Sequence, residues 1–195
     1  MTTNDLFNIL INDKPSESLR KNEEEVFRLL PELKICKGFK QNNPWHPYDV
    51  YEHILRVVHG VPDNLYLRTA ALFHDIGKPA KYYEDENGIG HFPGHWDESN
   101  EIFKNFMQRN SVSDDLAYYI SYLIFFHDLP GDKLPTGVQF LFGNEGIQQL
   151  YQLKRSDLLA QNPEYWDATM KRYDEEEKKL LTRQINRNTT MKGQM

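Results

Sequence analysis

The sequence predicts an all-α fold, a bundle of helices with one small β-hairpin. Apolar residues recur at helical spacing along most of the chain. Asn, Asp and Ser precede several of these stretches, as N-cap residues do, and prolines and glycines separate them. With 195 residues, 39% of them hydrophobic and 27% charged, the chain is long enough to bury one sizeable core.

The first third of the chain predicts two helices followed by a loop. Asn4 is the expected N-cap of a short helix to about residue 12, and Ser16 that of a second helix to about Leu30. Residues 37–47 (KGFKQNNPWHP) contain two prolines and a glycine, which is typical of a loop. Trp45 and His46 of this loop either pack locally or form one wall of a substrate pocket.

The next helix carries the first candidate metal ligand. Asp49 is its expected N-cap, with Glu52 in position for a capping box. Val50, His53 and Val57 fall on one face of this helix, so His53 is directed toward the interior. A single histidine on such a face is more often a hydrogen-bonded core residue, and the ligand interpretation depends on the residues described next.

A central motif, ALFHDIGKP, ends the following helix with His74 and Asp75 side by side. An imidazole next to a carboxylate suits a divalent metal, although a helix end with a cationic last turn is the alternative. Gly77 allows a sharp exit from the helix and Pro79 prevents its continuation. This exit is expected to turn His74, Asp75 and Lys78 toward one cavity.

A long connection, residues 81–94, follows the central motif. Its Asn87-Gly88 pair predicts the turn of the small hairpin. The connection contains His91 and is followed directly by His95, and the two histidines compete for one ligand role. A helix capped by Asp97 is expected to follow.

Two later helices each direct one polar residue inward. Ser113 is the expected N-cap of a helix whose apolar face ends in His127. In the next helix Asp157 shares a face with three apolar residues, an unfavourable position unless a cation, a buried Arg or a helix cap compensates the charge. Arg155 is either a substrate contact or a surface charge. A last helix is expected to run from residue 163 to about residue 181, and residues 183–195 to form a flexible tail.

Composition excludes several classes of function. The net charge of −6 argues against tight non-specific binding of nucleic acid. No apolar stretch approaches the roughly 20 residues that span a bilayer, and we expect neither membrane association nor a secretory signal. The single cysteine, Cys36, excludes an internal disulfide and fits a reducing cytoplasm, where we expect the protein to act.

Taken in order, the candidate residues resemble a known family. The segments DVYEH, HDIGKP and FPGH, a helix ending in His127 and a late Asp157 are similar to the HD superfamily of metal-dependent phosphohydrolases. The likeness is greatest to the HD domain of bacterial CCA-adding tRNA nucleotidyltransferases. It covers residues 44–163, the motif core of a single expected domain over residues 1–182.

The resemblance implies an HD-type helical bundle and a site with two divalent ions, drawn from Mn, Fe, Ni, Co, Mg or Zn. One ion would be held by His53, His74, Asp75 and Asp157, and the other by His95, His127 and Asp75 as a bridge. The resemblance favours His95 over His91, because Gly94-His95 aligns with the Gly-His pair of the family, and His91 is then expected to be a loop residue. Asp75 and Lys78 would be catalytic, and Lys78 and Arg155 would bind substrate.

The resemblance leaves three functions open. The first is hydrolysis of a phosphodiester or phosphomonoester of a nucleotide or RNA end, such as a 2′,3′-cyclic phosphate, by a metal-activated water. The second is the activity of an HD-type 5′-nucleotidase. The third is a non-catalytic module that senses a nucleotide or binds a partner. We identify no nucleotidyltransferase head in the chain and do not expect nucleotide addition to tRNA.

Overall fold

The computed structural model describes residues 1–112 and 114–192, without the side chains of residues 114–116, 139–140 and 183–192. Within this part, the fold is a mostly helical bundle with one two-stranded antiparallel hairpin, as predicted. The helices are α1 (Thr3–Leu10), α2 (Pro15–Lys21), α3 (Glu23–Leu29), α4 (Pro31–Cys36), α5 (Val50–Gly60), α6 (Leu65–Phe73), α7 (His95–Arg109), α8 (Asp114–Phe126), α9 (Thr136–Leu159) and α10 (Trp166–Lys192). The hairpin joins β1 (Tyr83–Glu84) to β2 (Gly90–His91), with Tyr83 opposite His91.

Helix α6 lies at the centre of the bundle, where it packs against α1, α5, α7, α8 and α9. Its residues from Ala70 to Phe73 are completely buried. The Phe73 ring packs against Phe103 and Phe106 of α7, with centroid distances of 5.1 and 5.2 Å. Because this helix ends in the middle of the protein, the residues that follow it, His74 and Asp75, are buried.

The N-terminal part differs from the prediction. The expected second helix is divided into α2 and α3 at Asn22, which has non-helical dihedral angles (φ −108°, ψ 21°). Asn is a weak helix former, and its side chain here donates a hydrogen bond to the Ser18 carbonyl. Helix α1 begins at Thr3 with Thr2 as its N-cap, in a capping box with Asp5, so the predicted cap at Asn4 is wrong.

The predicted cap at Asp49 is confirmed, and Asn64 caps the next helix in the same way. Asp49 accepts a hydrogen bond from the Glu52 amide at the start of α5, and Asn64 accepts one from the Leu67 amide at the start of α6. The reciprocal half of the capping box is absent at α5, because the Glu52 carboxylate pairs with Arg20 and Arg56 instead.

Helix α7 begins earlier than predicted. Its N-cap is Gly94, in a left-handed conformation (φ 74°), and His95 is its first residue, so the expected cap at Asp97 is wrong. His95 is therefore fixed by a helix and does not belong to a loop.

The C-terminal predictions are only partly covered by the described residues. Helix α9 is interrupted at Gly143 (φ 62°, ψ −165°), and α10 extends to Lys192. The predicted N-cap Ser113 and the end of the tail, residues 193–195, lie outside the described residues, and a flexible tail stays a prediction. None of the helices in the described part combines the length and apolarity that a bilayer-spanning segment needs.

Candidate metal centre

Helices α5, α6 and α9 bring four candidate ligands to one point. His53 projects from α5, and its Nε2 atom lies 3.3 Å from Nε2 of His74, just after α6. Oδ2 of Asp75 lies 3.1 Å from the His53 nitrogen and 3.3 Å from the His74 nitrogen. Oδ1 of Asp157, on α9, lies 3.0 Å from Nε2 of His53. These four side chains, which we call the first ligand group, could hold one ion.

A second ligand group lies on the other side of Asp75. Its Oδ1 atom is 3.2 Å from Nε2 of His95 and 3.7 Å from Nε2 of His127. The two histidine nitrogens are 3.3 Å apart. Asp75, His95 and His127 could hold a second ion, with the Asp75 carboxylate shared between the groups.

Backbone carbonyls fix three of the histidine rings. Nδ1 of His74 donates to the Ala71 carbonyl at 2.8 Å, Nδ1 of His95 to Phe92 at 2.9 Å, and Nδ1 of His127 to Ile124 at 2.6 Å. In a neutral imidazole whose proton is on Nδ1, Nε2 carries a lone pair. The Nε2 atoms therefore direct lone pairs at each other and at Asp75, an arrangement that a cation would stabilise.

The site is buried, and its charges are strongly coupled. The six predicted ligands are all at most 8% exposed. Burial alone would lower the pKa of His53, but hydrogen bonds and charges from Asp157 and Asp75 outweigh it and raise this pKa to about 9. Burial would raise the pKa of Asp75, but His74 and Lys78 hold it well below its usual range. Without a metal, His53 is therefore protonated at neutral pH.

Lys78 is buried beside the shared carboxylate. Its Nζ atom forms an ion pair of 2.7 Å with Oδ2 of Asp75 and donates to Oε1 of Gln41 at 2.9 Å. Nε2 of His46 lies 3.3 Å away, and burial together with the charge of Lys78 lowers the pKa of His46 to about 2. His46 is thus neutral and can accept a hydrogen bond from Lys78. Sequence reasoning missed Gln41, because an isolated Gln in a polar loop carries no signal.

A cavity of about 340 Å³ opens above the two ligand groups. The hairpin and the segment after it form one wall, with Tyr83 and Phe92. Trp45 and His46 belong to the lining, so the loop of residues 37–47 contributes to the pocket as one alternative expected. A hydrogen bond of 2.8 Å from the backbone amide of Asn162, which lies between α9 and α10, to the Trp45 carbonyl fixes this loop.

Comparison with known proteins places this architecture in a family. The chain matches the HD domain family over residues 46–185, which is most of its length. The chain belongs to the HD domain family.

One relative of the HD domain is the A-adding tRNA nucleotidyltransferase of Deinococcus radiodurans. The two sequences are 40% identical over 72 residues, and this match covers 34% of the present chain and 16% of the relative. The similarity thus concerns a small part of that longer protein.

The residues present in this HD domain fit a divalent metal. Nδ1 of His53 is buried and has no hydrogen-bond partner among the described residues. Oδ2 of Asp75 is also buried, and nitrogens of His53, His74 and Lys78 lie within 3.3 Å of it. Mixed imidazole and carboxylate donors suit Mn, Fe, Co, Ni or Zn better than Ca. The HD domain is therefore a phosphohydrolase fold with a plausible centre for divalent ions, whose identity the donors leave open.

The remaining predicted residues lie outside the ligand groups. His91, the competitor of His95, stacks on Tyr83 and lies 3.0 Å from Oδ2 of Asp85. Arg155 pairs with Asp174 and Glu177 of α10, with N–O distances of 2.7 and 2.6 Å. It is not among the residues that line the cavity, so the geometry gives its predicted substrate contact no support.

Proposed function

We propose that this HD domain hydrolyses a phosphodiester or phosphomonoester of a nucleotide or RNA end, for example a 2′,3′-cyclic phosphate. The observation that carries the proposal is the Asp75 carboxylate, whose two oxygens face two separate histidine groups at the floor of an open cavity. Such a bridged arrangement is typical of centres in which two ions about 3.5–4 Å apart clamp a phosphate.

Each residue has a defined role in the proposed reaction. His53, His74 and Asp157 would hold one ion, His95 and His127 the other, and Asp75 would orient both. Bound divalent ions would supply Lewis acidity and lower the pKa of a water molecule so that it can attack phosphorus. Lys78 adds a fixed positive charge beside Asp75, where negative charge grows on the phosphoryl oxygens.

Charge and cavity size support a nucleotide or an RNA end over a long nucleic acid. The net charge of −6 disfavours an extended phosphate backbone. The cavity, at about 340 Å³, lies at the lower end of the range for small-molecule sites. The complete second ligand group favours this activity over the 5′-nucleotidase type, which by family resemblance uses the first group alone. It also favours catalysis over a purely sensing module.

The proposal is tested on purified protein by elemental analysis and by a panel of cyclic nucleotides, mononucleotides and model phosphate esters. We expect bound transition metal and hydrolysis of at least one ester. His53→Ala should abolish turnover, whereas His59→Ala, an exposed histidine on the same helix, should not. Bound metal without hydrolysis of any ester would favour the binding module, and absence of metal affinity would reject the site itself.

A further inference from the structure

The cavity has few charged side chains apart from the predicted ligands. Apart from the histidines, the ionisable side chains with a formal charge among its described lining residues are Asp75, Asp157, Lys78 and Asp128. The first two belong to the ligand groups, and Lys78 is paired with Asp75 at 2.7 Å. Asp128 is therefore the charged lining side chain that belongs to neither ligand group and is paired with none of their members.

Asp128 lies in the turn that follows His127. It is exposed to solvent and, among the described residues, takes part in no ion pair within 4 Å. The nearest buried cation on this side is Lys154, whose ammonium donates to the carbonyls on either side of Asp128, those of His127 and Leu129. Lys154 thus fixes the backbone on both sides of Asp128, while Asp128 itself lines the cavity.

The rest of the lining is aromatic or neutral. Trp45, Tyr83 and Trp96 present rings to the cavity, and Asn43 and Gln161 present amides. Sites for di- and triphosphates normally surround the additional phosphates with Arg, Lys or helix N-termini. The described lining of this cavity contains no Arg, and no Lys besides Lys78, for that purpose.

We propose that Asp128 is a specificity residue that restricts the site to esters of a single phosphate. The inference rests on the proposed function and refines its substrate class. One phosphate is neutralised at the ligand groups, whereas a second or third would bring negative charge into the region of the Asp128 carboxylate without a compensating cation. Within the proposed function this selects a mononucleotide over an RNA end, because the nucleoside beyond the single phosphate is uncharged and has an aromatic base that the walls can contact.

The test compares substrates that differ only in phosphate number. We expect kcat/KM for AMP to exceed that for ADP and ATP by about ten-fold or more, since two like charges at close range near a protein surface repel each other by at least the roughly 1.4 kcal/mol that this ratio requires. Asp128→Asn should reduce the ratio about ten-fold, and Asp128→Glu should retain it. Asp132→Asn, in the same loop but outside the lining of this cavity, is the matched control and should leave the ratio unchanged.

A binding measurement separates this inference from the proposed function. Calorimetric titration with inorganic phosphate and pyrophosphate, at fixed free metal concentration, should show a preference for phosphate that Asp128→Asn weakens. If that preference is found but no ester is hydrolysed, the specificity role stands and the proposed activity fails. Equal hydrolysis of AMP and ATP, or a ratio that Asp128→Asn does not change, would overturn the role of Asp128.

Discussion

The buried ammonium of Lys154 donates a hydrogen bond of 2.6 Å to the backbone carbonyl of His127. Lys154 lies on α9, one turn before Asp157, and is 1% exposed. It donates a second hydrogen bond, of 2.7 Å, to the Leu129 carbonyl. One side chain therefore connects the helix of the first ligand group to a histidine of the second.

Replacement of Lys154 by Met should destabilise the protein and weaken the second ligand group. Two carbonyls would lose their charged donor, at a cost of about 2–4 kcal/mol in the free energy of unfolding. Urea denaturation measures the cost, and metal content should fall toward one ion. Arg155→Met is the control, because this more exposed neighbour forms surface ion pairs that contribute about 1 kcal/mol or less. Equal stability of the two variants would contradict the role of Lys154.

Metal affinity should rise with pH through the neutral range. A metal needs the neutral form of His53, and without metal the pKa of His53 is raised to about 9, so a proton competes below that value. Each pH unit below 9 should lower the apparent affinity of the first group up to about ten-fold, and the effect should disappear above it. Titration calorimetry in buffers of different ionisation enthalpy should detect a released proton at pH 7. The control variant His59→Ala should release the same proton when it binds metal. If the unaltered protein releases no proton, His53 is already neutral at pH 7.

The shared carboxylate predicts a graded effect of mutations on metal content. Asp75→Asn removes a ligand from both groups and should abolish turnover, with loss of at least one of two bound ions. His127→Ala affects the second group only and should lose one ion, because the first group keeps all four of its side chains. Elemental analysis after dialysis measures the metal content of both variants. His91→Ala is the matched control for the histidines, because His91 pairs with Asp85 outside both groups. Two ions retained by Asp75→Asn would refute the bridge.

Helical periodicity, a local property, was enough to direct His53, His127 and Asp157 inward, whereas the assignment of all six ligand candidates depended on the family resemblance. His53 shares a face with Val50 and Val57, and all three are completely buried. Helix geometry also explains why Arg155 does not line the cavity. Arg155 precedes Asp157 by two residues, about 200° around a helix, and therefore points away from the site. Lys154 precedes Asp157 by three residues and shares its buried side, a signal that the sequence contained.

Contacts between distant segments had no such signal. Gln41 meets Lys78 across 37 residues of sequence, because a loop folds over the end of α6. Asp128 lines the cavity because of where the turn after α8 is placed relative to the hairpin. The break at Asn22 depends on how α2 and α3 both reach the core, and helix propensity alone gives it little weight.

The aromatic wall should contribute to substrate binding more than to turnover. Trp45 and Tyr83 are 39% and 50% exposed although they line the cavity, so their rings are available to a ligand. Stacking of a base on one aromatic side chain contributes about 1–3 kcal/mol, and Trp45→Ala should therefore raise KM for a nucleotide about ten-fold while kcat changes little. Tyr118→Ala is the control, because Tyr118 is 61% exposed and does not line the cavity. A substrate without an aromatic ring, such as a glycerol phosphate, should show no difference between Trp45→Ala and the unaltered protein. An equal loss of kcat for both substrates would instead mean that Trp45 supports the catalytic centre through the loop.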